Sequence, residues 1–297
     1  MTGVAETSSA DAMGMPDGIG IIDTMIGFAA PDFSAYDFLR GQLKEESAEA
    51  DYPVEYMFEN VPKDGYGRPD PIGLTLTEMD RFGIERGLVG CEGETGRRAL
   101  KKHPDRFSPV YDVDPNDVMG SVGHMRRLHD EVDLRAVSSF PSGCNPPVPI
   151  DDAKFYPIYA TCCDLDIPIF TCAGVPGPRV PFSPQHVERI DRVMYDFPEL
   201  TFVTRHGCEP WEELAVKLML KWPGLHYSTS AFAPRHYPKA IIDYANTRGV
   251  DKIIYAGYFP MGLSLERIMT DMPGVPFRDH VWPKFLRENA ARVLKLD

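Results

Sequence analysis

Eight short apolar runs, each closed by Gly, Pro, Ser or Asp, are strung along this chain with helical patterns between most of them. They cover residues 19–23, 88–91, 108–113, 135–140, 167–172, 201–206, 225–228 and 252–257. Runs this short and this apolar predict strands buried on both faces, and the punctuation after each predicts a turn. Residues 77–82 end a helical pattern at Gly83, and 187–196, 211–221 and 237–248 carry others. Strands alternating with helices give a parallel sheet, and eight of them predict closure into a (β/α)8 TIM barrel. The competing open, doubly wound sheet lacks its mark, because no Gly-rich phosphate-binding turn follows the first run.

A length of 297 residues suits one barrel domain, which we expect over residues 19–297. The small, polar, acidic residues 1–18 have neither the basic start nor the apolar stretch of a signal peptide, and predict a disordered lead. Between the first strand and the helix ending at Gly83, residues 28–76 are too long for an ordinary strand-to-helix loop and rich in Asp, Glu, Tyr, Phe and Pro. Tyr52, Tyr56, Met57 and Phe58 argue against plain disorder, so this insertion is expected to cap the barrel mouth, with a subunit contact as a second use.

A formal charge of −13 sets the surface against nucleic acid and anionic lipid. No run approaches the length of a membrane span, so a cytoplasmic protein is expected, acting on a small molecule and forming a homo-oligomer. The six cysteines (Cys91, Cys144, Cys162, Cys163, Cys172 and Cys208) include no CxxC pair, which speaks against a disulfide framework or a structural zinc and for buried thiols.

Barrel chemistry gathers at the C-terminal strand ends. There the sequence places Asp23 and Met25, Glu92, Asp112 and Asp114, Ser138, Ser139 and Ser142, Cys172, Arg205 and His206, Ser228 and Ser230, and Tyr258. With a single histidine among them, this set is poor for zinc, and no cofactor is expected. His206, before Gly207 and near Trp211, is the candidate general acid or base, against the plain reading of a core histidine bonded to backbone. Tyr258 is either a hydrogen-bond donor to an oxyanion or a space-filler. Asp23 either orients a catalytic group or bonds the barrel backbone. Arg179, in the loop after the fifth run, is the candidate clamp for a substrate carboxylate, whereas Arg205 should point away from His206 and enter a structural ion pair. Cys172 is a possible nucleophile but reads better as a buried thiol. Cys172, Trp211 and Ser230 complete the candidate substrate contacts.

Four segments together carry a family resemblance: residues 167–170, His206-Gly207 with Pro210-Trp211, Tyr258-Phe259-Pro260, and 288–294. From about Gly20 to its end the chain resembles the branch of the amidohydrolase superfamily that contains aminocarboxymuconate-semialdehyde decarboxylase. The resemblance implies metal ligands at the positions of Met25, Gly27, Cys172, His206 and Tyr258, of which His206 alone matches. It therefore implies an enzyme that has given up the metal: a hydrolase or a decarboxylase-type C–C lyase acting on a small carboxylic acid, aromatic acids included. The alternative is an inactive barrel that serves as a ligand-binding or assembly subunit.

Overall fold

The computed structural model describes residues 14–32, 36–44, 46–49, 52–57, 61, 63 and 66–296. Most of the acidic lead, residues 1–13, lies outside this set, as does Phe58. Strands β1 (Ile21–Asp23), β2 (Ile84–Gly90), β3 (Phe107–Asp112), β4 (Ala136–Ser139), β5 (Ile169–Cys172), β6 (Phe202–Arg205), β7 (Leu225–Ser228) and β8 (Ile253–Ile254) pair in sequence order. Every pairing is parallel. The TIM barrel predicted from the run spacing is the observed architecture.

The seam between β8 and β1 is made past the strand ends. Thr24 donates from both N–H and Oγ1 to the Tyr255 carbonyl, at 3.4 and 2.9 Å, and the Gly27 N–H donates to the Phe259 carbonyl at 2.9 Å. β8 is shorter than its apolar run because its donors turn elsewhere: the Tyr255 N–H bonds the Phe285 carbonyl at 2.9 Å and the Ala256 N–H bonds Thr229 Oγ1 at 3.2 Å.

Helices α1 (Asp37–Arg40) and α2 (Glu46–Glu49) lie in the long insertion after β1. The outer layer is α3 (Pro71–Arg81), α4 (Gly93–Lys102), α5 (Val118–Val132), α6 (Tyr156–Leu165), α7 (Arg189–Asp196), α8 (Glu212–Lys221), α9 (Lys239–Ala245) and α10 (Leu265–Asp271), followed by α11 (Val281–Pro283) and α12 (Asn289–Leu294). α3 begins at Pro71 because Asp70 caps it, accepting the Gly73 N–H at 3.0 Å, and Pro suits the first helical turn. The insertion thus ends at Asp70 rather than at the expected Leu76.

Inside the barrel, Ile22, Leu88, Val110, Ala136, Phe170, Val203 and Ile254 make one apolar plug, sealed from below by Ala290, Val293 and Leu294 of α12. Alternate residues such as Val89, Val137, Ile169 and Phe202 face outward and join the larger core under the helices. All six cysteines are free, with Cys91, Cys162, Cys172 and Cys208 buried. No helix among the described residues is long and apolar enough to cross a membrane.

The described part of the insertion leans on the loops after β4 and β5. Gln42 Nε2 donates to the Gly143 carbonyl at 3.0 Å, and the Tyr56 hydroxyl donates to the Gly177 carbonyl at 2.5 Å. Leu39 and Leu43 pack on Val180.

Candidate active site

One residue pair beyond the apolar plug, the inward face of the strands changes character. Two positions after Val110, Phe170 and Val203 come Asp112, Cys172 and Arg205, and all three line a cavity of about 1410 Å³ at the C-terminal mouth. Arg205 is 8% exposed and faces this cavity. Its guanidinium lies 5.1 Å over the Phe170 ring, one Nη donates a long 3.4 Å bond to the Thr24 carbonyl, and its Nε–H has no partner. Burial pulls its pKa down, against longer-range attraction from Asp112, Cys172 and Asp23. Among the described residues it makes no ion pair, so the structural pair expected from the sequence does not form. Strict alternation does hold, but it is Arg205 that faces inward.

His206 reaches the same cavity by a backbone change. His206, Gly207 and Cys208 follow β6 with φ of 65°, 86° and 62°, three successive left-handed residues that re-aim the chain. The Ser230 hydroxyl fastens this turn: its oxygen accepts the His206 N–H at 3.0 Å and lies 3.2 Å from Nδ1. Ser230 is fully buried, and Nδ1 is the acceptor within reach of its proton. When Ser230 donates to Nδ1, the neutral ring carries its proton on Nε2. Burial first, and then Arg205, push its pKa from 6.5 down to about 3. The general acid–base role expected of His206 rests on titration near neutrality, and this environment favours the neutral ring at neutral pH, in which one ring nitrogen is a hydrogen-bond donor.

Tyr258 meets His206 edge to face, with ring centroids 5.5 Å apart, and lines the cavity. Burial raises its phenol to about 12, so it stays a donor, and its hydroxyl interacts with that of Tyr52. Tyr36 packs on Tyr52 with centroids 5.0 Å apart and reaches Tyr66, oxygen to oxygen, at 3.5 Å. These three insertion tyrosines, which the strand-end rule has no means of selecting, line the cavity with Tyr258. Cys172 is buried and its thiol raised to about 12, chiefly by desolvation, which fits the reading of a packed thiol and not of a nucleophile.

Other candidates lie off the cavity. Asp23 is fully buried on the outward side of β1, accepting the Met25 and Gly257 N–H groups at 2.9 and 2.8 Å, with its second oxygen unbonded. These bonds fit the backbone-bonding alternative, and burial raises its pKa to about 6. Arg179 is exposed and stacks over Tyr56 at 4.6 Å; it does not line the cavity. Trp211 packs behind the site against His186 and Phe182, with centroids at 4.0 and 5.5 Å. Met25, Asp114 and Ser139 line the cavity, whereas Glu92, Ser138, Ser142, Ser228 and Ser230 do not. Gly174 holds the scaffold together: at φ 99° its missing Cβ would fall 2.7 Å from the Cys208 backbone, so the loops after β5 and β6 touch only because it is glycine.

The ligand positions implied by the resemblance hold a thioether (Met25), no side chain (Gly27), a thiol and a phenol both raised to about 12 (Cys172, Tyr258), and one imidazole. Among the described residues no three His, Cys, Asp or Glu side chains group to hold a metal. A buried guanidinium aimed into the same space repels a second cation. These residues do not fit a divalent metal site.

Solved structures share the fold. An uncharacterised TIM-barrel protein of Bordetella bronchiseptica superposes with a TM-score of 0.74 at 24% identity, over 93% of this chain and 98% of that one. A 2,6-dihydroxybenzoate decarboxylase from Rhizobium gives 0.65 at 16% identity, over 94% and 100%. A dihydroxybenzoic acid decarboxylase from Polaromonas, with bound manganese and the inhibitor 2-nitroresorcinol, gives 0.64 at 16% identity, over 94% and 98%. No curated protein matches the sequence. The family model described as Amidohydrolase matches residues 74–296, three quarters of the chain and all of the strands from β2 to β8. With the barrel, the strand-end site and this match together, the chain belongs to the amidohydrolase family.

Proposed function

We propose that the protein is a metal-independent enzyme of this family, a hydrolase or a decarboxylase-type C–C lyase acting on a carboxylic acid, an aromatic one by analogy with the decarboxylases that share its fold. The observation that carries the reading is Arg205: a buried, cavity-facing guanidinium without an ion-pair partner among the described residues, beside the His206 ring and the Tyr258 phenol. Proteins bury a charge at a cost of several kcal/mol, and a ligand anion offsets it where no side chain does. Arg205 takes the role sought in Arg179, because guanidinium matches carboxylate and other planar oxyanions with paired hydrogen bonds.

His206 and Tyr258 then serve as neutral donors. With Arg205 they form a preorganised pocket for negative charge developing on oxygen, as in the tetrahedral intermediate of hydrolysis or the enolate left by loss of carbon dioxide. Both reactions need a proton moved. Hydrolysis needs a proton taken from the attacking water, and decarboxylation needs a proton given by water to carbon. Asp112, on the same inward layer and accepting a hydrogen bond from Ser138, is the carboxylate placed to accept the proton in the first and to hold the donor water in the second.

The test is turnover of a panel of hydroxybenzoates, keto acids and carboxylic esters by chelator-treated protein, followed by proton NMR. Arg205→Gln should abolish turnover, and His206→Ala should lower it roughly 10²- to 10³-fold, the usual loss for one oxyanion donor. Activity that needs added metal, or that survives Arg205→Gln, would sink the proposal. The inactive-barrel reading has one observation in its favour: neither His206 nor Cys172 titrates near neutrality. It predicts acid binding that depends on Arg205, with no turnover.

A further inference from the structure

The cavity is larger and more divided than a small acid requires. Its floor is polar, made by Arg205, His206, Asp112 and Tyr258. Above the floor the lining is mixed: Phe38 from the insertion and Phe140 and Phe232 from the loops after β4 and β7 carry apolar surface, Leu39, Val54 and Leu263 back them as buried residues, and Arg235 and Arg267 add charge. Pockets for drug-sized ligands run to roughly 300–1,000 Å³. This one, at about 1410 Å³, would be left mostly unfilled by a single-ring acid held at Arg205. Apolar walls gain only when apolar surface covers them, and water against them is the unfavourable state.

Resting on the assignment of Arg205 as the anion anchor, we propose that the ligand is a bulky amphiphilic acid, with its carboxylate on Arg205 and an apolar extension of at least a second ring lodged between the insertion and the β7 and β8 loops. Phe38 and Met57 fit this use. Both line the cavity, yet each is 57% exposed, so each has apolar surface left to cover. Tyr36 and Tyr66, both half-buried in the lining, add ring edges and faces on which a flat extension packs, with Tyr52 buried behind Tyr36. Selectivity for size would then come from the insertion, and selectivity for charge from β6.

The experiment is calorimetric titration of the intact protein with benzoate, 2-naphthoate and biphenyl-4-carboxylate. Affinity should rise along the series by roughly ten-fold or more from first to last, the scale expected when one further ring leaves water. The double variant Phe38→Ala with Met57→Ala, both at exposed positions, should remove most of the gain from benzoate to biphenyl-4-carboxylate. Equal affinities along the series, or a gain untouched by the double variant, would overturn the inference while leaving the anchor in place. Binding unaltered in Arg205→Gln, or no binding of any acid, would instead remove the anchor and the inference with it.

Discussion

Replacing Arg205 with methionine should make the protein more stable and worse at its task. The guanidinium is 8% exposed, its Nε–H is unbonded, and its hydrogen bond to the Thr24 carbonyl is 3.4 Å long. An unsatisfied buried donor costs about 1–3 kcal/mol, and buried charged groups replaced by well-packed apolar ones return about 1–4 kcal/mol. Against this stands the loss of the cation over Phe170, worth about 0.5–2 kcal/mol. Methionine fills the space of the shaft without strain. The net expectation is a gain of about 1–3 kcal/mol, seen as a rise of roughly 2–10 °C in unfolding temperature for a chain of this size. Carboxylate binding should weaken by roughly ten- to a hundred-fold or more, since hydrogen bonds to a charged group contribute about 1.5–3 kcal/mol each. Urea unfolding and calorimetric titration with one acid measure the two effects side by side. A variant destabilised by several kcal/mol would show that the folded protein itself compensates the charge, and the argument for an absent anion would collapse.

Three further outcomes follow from the same geometry. Asp23 holds its proton more tightly folded than unfolded, with its pKa raised from 3.8 to about 6, so its contribution is complete below pH 3.8 and is lost as the pH climbs through 6. Asp23→Asn keeps an oxygen for the Met25 and Gly257 N–H groups and should be more stable than the wild type by up to about 3 kcal/mol at pH 7.5, but equal to it near pH 3.5; urea midpoints that do not separate with pH would refute this. His206, depressed from 6.5 to about 3, favours the fold fully above pH 6.5 and progressively less below it, and its ring resonances should stay flat from pH 8 to 5, where a midpoint near neutrality would restore the acid–base role. Protein dialysed against manganese or zinc and then desalted should retain far less than one equivalent by elemental analysis, whereas near-stoichiometric metal lost in His206→Ala would contradict the fit described above.

The barrel is legible in the sequence because burial on both faces leaves strands no choice but continuous apolar runs, and Gly83 marks a helix end chemically. The Asp70–Pro71 start of α3 carries the same kind of mark, but inside the stretch expected to be insertion. The site was only half legible. His206 and Tyr258 stand where the strand-end rule puts them, but Arg205 was turned the wrong way by starting the alternation at His206. Counted from Val203, which lies between Phe202 and Thr204 on a strand buried on both faces, the same rule points Arg205 into the barrel. The left-handed turn that lets two consecutive residues share one cavity has no local signature beyond Gly207. Arg179 was drawn away by Tyr56, and the tyrosine group was assembled from the insertion, both contacts between residues far apart in the chain.

That left-handed turn also limits what descent can do with the site. Positions 206 and 208 hold side chains at φ of 65° and 62°, a conformation that branched residues such as Val, Ile and Thr resist and that Asn, Asp and Gly accept. Of the single-base neighbours of a histidine codon, Asn and Asp are the ones this backbone admits without strain. Asn retains an N–H donor, whereas Asp would set a carboxylate beside Arg205 and close the cavity to anions. A lineage drifting at position 206 therefore meets two open doors, one leading to a weaker version of the same site and the other to a barrel that neutralises its own charge and binds nothing.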